Sequence, residues 1–184
     1  MKGYAGSKTD KSDRDLWRTP DYVYRYYNCR FNFSHDVAAS EENHLAQHFF
    51  TKEDDALSID WGRSNWLNPP YSETSRWVDK AIEQTPYGTD RIVVMLLPAA
   101  TSVAWFEKAM KHCSECHIIT GRIGFISNVT GEPVNNNNIG SVVFVFDGMS
   151  PVRSHVSIIH RDDMKRINKW RPQPTRLPAP DAGK

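Results

Sequence analysis

The sequence lacks a paired set of cysteines, a long apolar run and a clear excess of charge of either sign. Its three cysteines are an odd set, which excludes a complete disulfide framework. No stretch is apolar enough to span a membrane, and the first residues lack the apolar core of a signal peptide, so we expect a cytoplasmic protein. The formal net charge of +1 means that any basic surface for nucleic acid must be local.

One cysteine motif suggests a bound group. Cys113-Ser114-Glu115-Cys116-His117 matches the attachment pattern of c-type haem, and its cysteine pair is also half of a zinc site. Haem attachment of that type requires export, and a zinc site requires a second ligand pair, for which only Cys29 and scattered histidines remain. We therefore expect two reduced thiols near a helix end and no metal.

The length of 184 residues suits one α/β domain. Residues 1–14 are predicted to be a flexible lead and residues 15–160 the folded domain. Residues 161–184 are basic and rich in proline, which predicts a tail that either contacts phosphates or is solvated.

Strand and helix patterns alternate within the predicted domain. We expect strands at 31–35, 65–67, 91–97, 117–120, 121–126 and 141–146, and helices at 21–27, 41–49, 72–84 and 102–111. This order predicts a mostly parallel α/β sheet that closes with an antiparallel C-terminal strand pair. Ligands bind at the carboxyl ends of strands in such sheets, and Asp36 and Asn68 both fall at such ends.

The tetrapeptide Asn68-Pro69-Pro70-Tyr71 follows an apolar strand and precedes a helix. Two prolines fix the backbone and remove two N–H donors, so nearby carbonyls are left to accept hydrogen bonds from another molecule. The Asn68 side-chain oxygen beside the Pro69 carbonyl would offer two acceptors, which suits an exocyclic amino group with its two N–H donors. The alternative is a simple proline turn at a strand end.

Amino-group methylation needs this arrangement. The lone pair of an adenine N6 is delocalised into the ring, so that two acceptors gripping its hydrogens would expose the nitrogen and stabilise the positive charge that develops on transfer. Tyr71 would offer an aromatic face to the purine, and a base in a duplex would reach the pocket only by flipping out of the stack.

Several short stretches, in one order, are similar to a known family. They are Trp17-Arg18-Thr19-Pro20, Phe33 to Ala39, Thr51 to Leu57 with Asp60-Trp61, Asn68 to Ser72, Leu96 to Ala99 with Trp105-Phe106, and Gly121 to Ile126. From about residue 15 to residue 147 the chain resembles the phage-type DNA N-6-adenine methyltransferase (Dam) family. The resemblance implies a reduced Rossmann-like methyltransferase fold, S-adenosylmethionine as donor, adenine in double-stranded DNA as acceptor and GATC as the target.

The same resemblance implies residues that bind the donor. Trp17, Thr19 and Pro20 would bind the donor, with Thr19 and Pro20 lying against its methionine end. Asp36, with the small Ala38 beside it, would form the first donor-binding turn and hold the ammonium group. The Gly-rich loop usual at this turn is absent.

Further acids would bind the nucleoside part of the donor. Asp54, or its neighbour Asp55, would accept from the ribose hydroxyls. Asp60 would accept from the amino group of the donor adenine, with Trp61 packed on the ring. Each of these acids is equally compatible with an ordinary solvated surface.

No separate recognition domain fits in this chain, so loops must read the DNA sequence. The connection from Asn128 through Asn135, Asn136, Asn137 and Asn138 is the candidate, since asparagine pairs with adenine edges, and Arg122 would pair with a phosphate or guanine. A flexible turn is the alternative. Two other functions stay open: methylation of RNA or of a protein glutamine by the same tetrapeptide, and a non-catalytic DNA-binding module supported by the basic tail.

Overall fold

The computed structural model describes residues 15–134 and 139–167. The helices are α1 (Asp21–Phe31), α2 (Thr74–Gln84), α3 (Ala104–His112) and α4 (Arg161–Ile167), and a single 3₁₀ turn covers Tyr71–Glu73. The strands are β1 (His35–Asp36), β2 (His48–Phe49), β3 (Ser64–Leu67), β4 (Ile92–Pro98), β5 (Glu115–Thr120), β6 (Ser141–Asp147) and β7 (His155–His160). No helix in the described ranges combines the length and the apolar composition needed to cross a membrane.

The strands form one sheet in the order β2-β1-β3-β4-β6-β5-β7. Only β6 runs against its neighbours, pairing antiparallel with both β4 and β5, whereas all other pairings are parallel. The predicted mostly parallel sheet with an antiparallel C-terminal pair is confirmed. Because β5 therefore runs parallel to β4, the carboxyl ends of β1, β3, β4 and β5 meet at one edge, which we call the carboxyl edge.

Helices cover both faces of the sheet, because successive strand side chains point to opposite sides. On one face, Trp66 and Val94 pack with Val23 and Tyr27 of α1 and with Met164 of α4. The opposite face is covered by α2 and α3, and its buried residues include Leu67, Trp77, Val78, Met95 and Ala109. The result is a three-layer domain whose central strands are apolar on both sides, as parallel sheets require.

Three local predictions were wrong, each because hydrogen bonds outside the predicted element hold the backbone. Of the strand predicted at 31–35, only His35 belongs to a strand, as the first residue of β1; α1 runs to Phe31 and ends at Asn32, which is left-handed with φ 47°. Residues 41–49 are not a helix, since Leu45 N–H donates to the Asp36 carboxylate and His48–Phe49 pairs with β1. Residues 121–126 are not a strand, because only Ile126 pairs, with Arg18 and Pro133.

Two elements lie beyond the predicted ones. Strand β7 was not predicted, and α4 occupies the first residues of the segment that we expected to be a tail. Met164 of α4 is fully buried against α1, so the packed structure continues past residue 160. The predicted lead at 1–14 lies outside the described residues.

Candidate active site

Asp36 and Asn68 lie on adjacent strands at the carboxyl edge. Strand β1 pairs with β3 in a register that sets Asp36 opposite Trp66, two residues before Asn68. The side chain of Asp36 is buried, and that of Asn68 is half-buried. The two residues that the sequence placed at strand ends are therefore brought together.

The Asn68 amide is held at both ends. Its Nδ2 donates to the backbone carbonyl of Trp17 at 3.1 Å, and its Oδ1 accepts from the Tyr71 hydroxyl at 3.2 Å. A carbonyl can only accept, so the Trp17 contact decides which end of the amide carries nitrogen. The Oδ1 atom has a second lone pair, which leaves it able to accept one further hydrogen bond.

A second acceptor lies beside Asn68. Pro69 is buried, and no group in the described parts of the chain donates to its carbonyl. The next residue, Pro70, has an extended backbone (φ −53°, ψ 122°) and leads into the 3₁₀ turn. The diproline thus keeps one backbone oxygen uncommitted next to the oriented Asn68 amide.

Tyr71 is anchored by its ring and its hydroxyl. The ring packs edge-on against Phe125 with centroids 6.4 Å apart, and the hydroxyl binds Asn68. Burial raises the pKa of Tyr71 far above its usual value, so the phenol stays protonated and remains a donor. Sequence reasoning did not single out Phe125, although it lies within a stretch shared with the resembling family.

The segment 15–20, which we call the N-terminal strap, crosses this edge. Asp15 accepts a hydrogen bond from Ser72 N–H at 3.1 Å, and the Trp17 ring stacks on Phe125 at 5.8 Å. Arg18 exchanges two backbone hydrogen bonds with Ile126, at 2.9 and 3.0 Å. The strap therefore ties the tetrapeptide to the segment that follows β5.

The buried strap residues divide into two groups by what they contact. Trp17, which the resemblance assigned to the donor, instead packs its ring on Phe125 and accepts a hydrogen bond from the Asn68 amide with its carbonyl. Thr19 and Pro20 are buried where the strap enters α1. They are the strap residues that remain candidates for contact with a donor.

Asp36 is a buried carboxylate without a lysine or arginine partner among the described residues. Within residues 15–134 and 139–167, its carboxylate accepts hydrogen bonds from the backbone N–H groups of Leu45, at 3.1 Å, and Ala38. Desolvation raises the pKa of Asp36 to about 6, offset in part by these bonds and by the nearby His44. A carboxylate in this state suits a ligand that brings its own positive charge.

The acids predicted to bind a nucleoside lie at different places. Asp54 follows β2 on the carboxyl side and is exposed, and its carboxylate accepts from Thr51 N–H at 2.7 Å and Thr51 Oγ1 at 2.9 Å. Asp60 precedes β3, where it accepts from Gln84 at the end of α2 and lies 3.9 Å from Arg91, just before β4. Asp60 is thus at the opposite edge of the sheet, where β3 and β4 begin and which we call the amino edge, across the sheet from Asp36.

Trp61 belongs to the core. It is only 4% exposed, its indole N–H donates to the Ala56 carbonyl at 2.7 Å, and its ring lies 6.2 Å from that of Trp77. The implied roles of Asp60 and Trp61 at the donor adenine do not fit these positions. The sequence could not reveal this, because the connection from β2 to β3, residues 50–63, carries the chain back to the other edge.

Asp60→Ala is expected to leave donor affinity unchanged within about twofold, since an exposed charge across the sheet has little effect on a distant site. Titration calorimetry with S-adenosylmethionine measures this directly. A large loss of affinity would return Asp60 to the donor site and would contradict the placement given above.

Of the predicted DNA-binding residues, the structure describes Arg122, which lies at the carboxyl edge. Arg122 follows β5 and is exposed, and its carbonyl accepts from the Arg161 guanidinium at 2.9 Å. Asn135, Asn136 and Asn137, with Asn138, lie outside the described residues. Arg122 is therefore on the correct side of the sheet for a nucleic acid that approaches Asn68.

The cysteine motif does not converge on one point. Cys113 and Cys116 are buried in the α2–α3 face, and burial raises their pKa to about 12 and about 11. His117 points to the opposite face, where it lies 3.2 Å from the Tyr27 hydroxyl and 3.0 Å from Glu115. Both thiols are protonated at neutral pH, and within the described residues no group of three or more potential ligands could hold a metal.

Asp36 and Asn68 lie at neighbouring positions of one strand edge, where sheets of this kind bind their ligands. With the mostly parallel, helix-covered sheet, this defines a Rossmann-like methyltransferase domain. Residues 6–170 match the profile of the family described as DNA N-6-adenine-methyltransferase (Dam), and the chain belongs to that family.

Two phage proteins are similar to this chain over most of its length. A protein named DNA N-6-adenine-methyltransferase from Escherichia phage T1 is 39% identical over 160 residues, which cover 77% of this chain and 66%, just under two thirds, of the phage T1 protein. One of the same name from Haemophilus phage HP1 (strain HP1c1) is 40% identical over 152 residues, covering 80% of this chain and 87% of the relative.

Proposed function

We propose that this protein transfers a methyl group from S-adenosylmethionine to the N6 atom of adenine in double-stranded DNA. The observation that carries the proposal is the Asn68 amide, oriented by the Trp17 carbonyl beside an uncommitted Pro69 carbonyl. Family membership and the names of the two relatives support DNA adenine as the acceptor.

The acceptor side of the site binds an amino group through two oxygens. Asn68 Oδ1 and the Pro69 carbonyl each accept one N–H, which draws the nitrogen lone pair out of conjugation and directs it away from the ring. They also stabilise the positive charge that builds on the nitrogen in the transition state. No strong general base is needed, because the methylated nitrogen loses its proton readily to water.

The donor side uses residues of the carboxyl edge. S-adenosylmethionine, when bound, supplies an electrophilic methyl group. Asp36 fits its ammonium group, because a buried carboxylate that no described lysine or arginine pairs with gains a charge-assisted hydrogen bond there. Ala38 leaves space beside it, Thr19 and Pro20 border the methionine end, and Asp54 or Asp55 accepts from the ribose hydroxyls.

The adenine reaches Asn68 by flipping out of the duplex. Asn68 is half-buried between the strap and the 3₁₀ turn, where a stacked base cannot approach it. Tyr71 offers its ring to the extruded purine, and base–aromatic stacking contributes about 1–3 kcal/mol.

Two substitutions separate the functions of Tyr71. Tyr71→Phe removes only a 3.2 Å hydrogen bond to Asn68, a contact worth about 1 kcal/mol, and is expected to lower kcat by less than about tenfold. Tyr71→Ala also removes the stacking surface and is expected to raise KM for DNA more than it lowers kcat. Steady-state kinetics with varied DNA tests both; equal behaviour of the two variants would contradict a stacking role.

Labelled S-adenosylmethionine incubated separately with duplex DNA, RNA and a cell-protein fraction tests the proposed function. We expect label in DNA as N6-methyladenine, and label in protein alone would end the proposal. Digestion of the treated DNA with methylation-sensitive nucleases then tests GATC as the target. A phage-type enzyme of this kind would act in the host cytoplasm, where the methyl mark protects viral DNA from restriction.

A further inference from the structure

A short hairpin projects from the segment after β5. Its base is closed by Val134 N–H, which donates to the Phe125 carbonyl at 2.6 Å, and by Ser127 N–H, which donates to Glu132 at 2.9 Å. Residues 128–132, which we call the hairpin tip, are all exposed. The hairpin is the part of the described carboxyl edge that extends directly from the packing around Phe125.

The hairpin tip is braced from within. Ser127 Oγ accepts from the N–H groups of both Val129 and Thr130 at 3.2 Å, and Ser127 O accepts from Gly131 N–H at 2.9 Å. Gly131 has φ +70°, a conformation that favours glycine and closes the turn. These contacts hold the tip in a defined shape and set the direction of the side chain at position 129.

That side chain is the most exposed large apolar group in the described chain. Val129 is 84% exposed, and among the described residues the next values are 75% for Tyr87 and 70% for Ile158. Because valine is branched at Cβ, its side chain has few accessible rotamers, so this turn holds Val129 as a rigid, exposed apolar group. Such a group gains free energy only when another molecule covers it.

The hairpin tip is connected to the catalytic amide through the strap. Asn128, which precedes Val129, accepts from the Arg18 guanidinium, with its Oδ1 2.7 Å from Arg18 Nε. Arg18 directly follows Trp17, whose carbonyl accepts from Asn68. Val129 is therefore attached to the part of the site that receives the adenine.

We propose that Val129 inserts into the base stack of the DNA duplex and takes the space left by the flipped adenine. Apolar side chains inserted between base steps are an established way to unstack a duplex. The polar Asn128 and Thr130 on either side fit the neighbouring base edges and backbone. This inference rests on the proposed function and adds to it the residue that drives base extrusion.

Val129→Ala tests the inference against a matched control, Val152→Ala. Val152 is also an exposed valine, 49% exposed, but it precedes β7 at the amino edge. The probe is a duplex with 2-aminopurine in place of the adenine that the wild-type protein methylates, because its fluorescence rises on unstacking. We expect a clear rise with wild type and Val152→Ala, a much smaller one with Val129→Ala, and recovery with Val129→Ile.

Turnover on a duplex with a mismatched target base pair distinguishes insertion of Val129 into the base stack, which we call the wedge role, from a purely structural role. On matched DNA, Val129→Ala is expected to lower kcat by about tenfold or more, since flipping then lacks its apolar support. Placing the target adenine opposite a mismatched base lowers the cost of extrusion and should restore most of the turnover. Equal losses on matched and mismatched DNA would overturn the wedge.

The two proposals fail in different ways. If wild type methylates adenine while Val129→Ala matches Val152→Ala in fluorescence and turnover, the wedge is refuted and the proposed function stands. If wild type neither methylates DNA nor raises the fluorescence, the proposed function itself fails.

Discussion

Asn68→Ala is expected to lower kcat for adenine methylation by on the order of a hundredfold or more, comparable to removal of one preorganised partner of a developing charge. The amide is oriented in advance by the Trp17 carbonyl, so its oxygen needs no reorganisation when the amino group arrives. Alanine removes one of two acceptors and leaves the adenine nitrogen conjugated with its ring. Single-turnover kinetics with saturating DNA and donor measure the chemical step directly.

The control for Asn68→Ala is its affinity for S-adenosylmethionine. Asn68 makes hydrogen bonds to Trp17 and Tyr71 but none to Asp36, so calorimetry should show S-adenosylmethionine affinity nearly intact. A thermal melt confirms that the strap remains folded. Near-normal turnover in a folded, donor-binding variant would refute the role given to Asn68.

Asp36→Asn is expected to weaken S-adenosylmethionine binding by on the order of a hundredfold, because it removes the only negative charge of a buried ion pair. The replacement keeps the shape of the side chain, and its oxygen still accepts from Leu45 N–H. Titration calorimetry gives the donor Kd. Unchanged affinity would remove Asp36 from the donor site.

The thermal stability of Asp36→Asn distinguishes a loss of donor affinity from unfolding. Because the pKa of Asp36 is raised to about 6 in the folded protein, folding favours its protonated form. Its favourable contribution to stability is therefore fully present below the ordinary carboxyl pKa and is lost as pH rises through about 6. At neutral pH the donor-free Asp36→Asn protein should consequently melt no lower than wild type.

Donor binding should depend on pH in the opposite sense. The ammonium group needs an ionised Asp36, so donor affinity should be constant above about pH 7 and fall by up to about tenfold per pH unit below the pKa near 6. Asp36→Asn should lose this dependence. A wild-type affinity that stays level down to pH 5 would show that Asp36 does not hold the ammonium.

Local sequence was sufficient to place Asp36 and Asn68 at neighbouring strand ends. Asp36 follows a stretch that alternates apolar and polar residues, Asn68 follows the apolar Trp66-Leu67, and the rigid diproline marks the exit of β3 without any tertiary information. The alternation of strands and helices likewise predicted the parallel sheet, since that pattern depends on side-chain burial along each element. Helix and strand limits shifted where the backbone turned, as at Asn32, whose left-handed conformation ends α1.

Sequence similarity alone could not predict where Asp60 and Trp61 lie in the fold. A sequence match gives the order of residues but not their positions in space. The connection after β2 crosses to the other edge of the sheet, and the Trp61 indole N–H donates to the Ala56 carbonyl within the core. The same limit applies to Trp17, whose carbonyl acts on Asn68 across a separation of 51 positions. Backbone groups leave no signature in a sequence.

The sequence by itself determined the class of fold, the tetrapeptide and the acid at the first strand end, because strand burial and proline stiffness act over a few neighbouring residues. Only the tertiary structure decided that the N-terminal strap orients the Asn68 amide, that Asp36 lacks a lysine or arginine partner among the described residues, and that the hairpin tip presents Val129. Those features depend on contacts between segments far apart in the chain, and no local pattern encodes them.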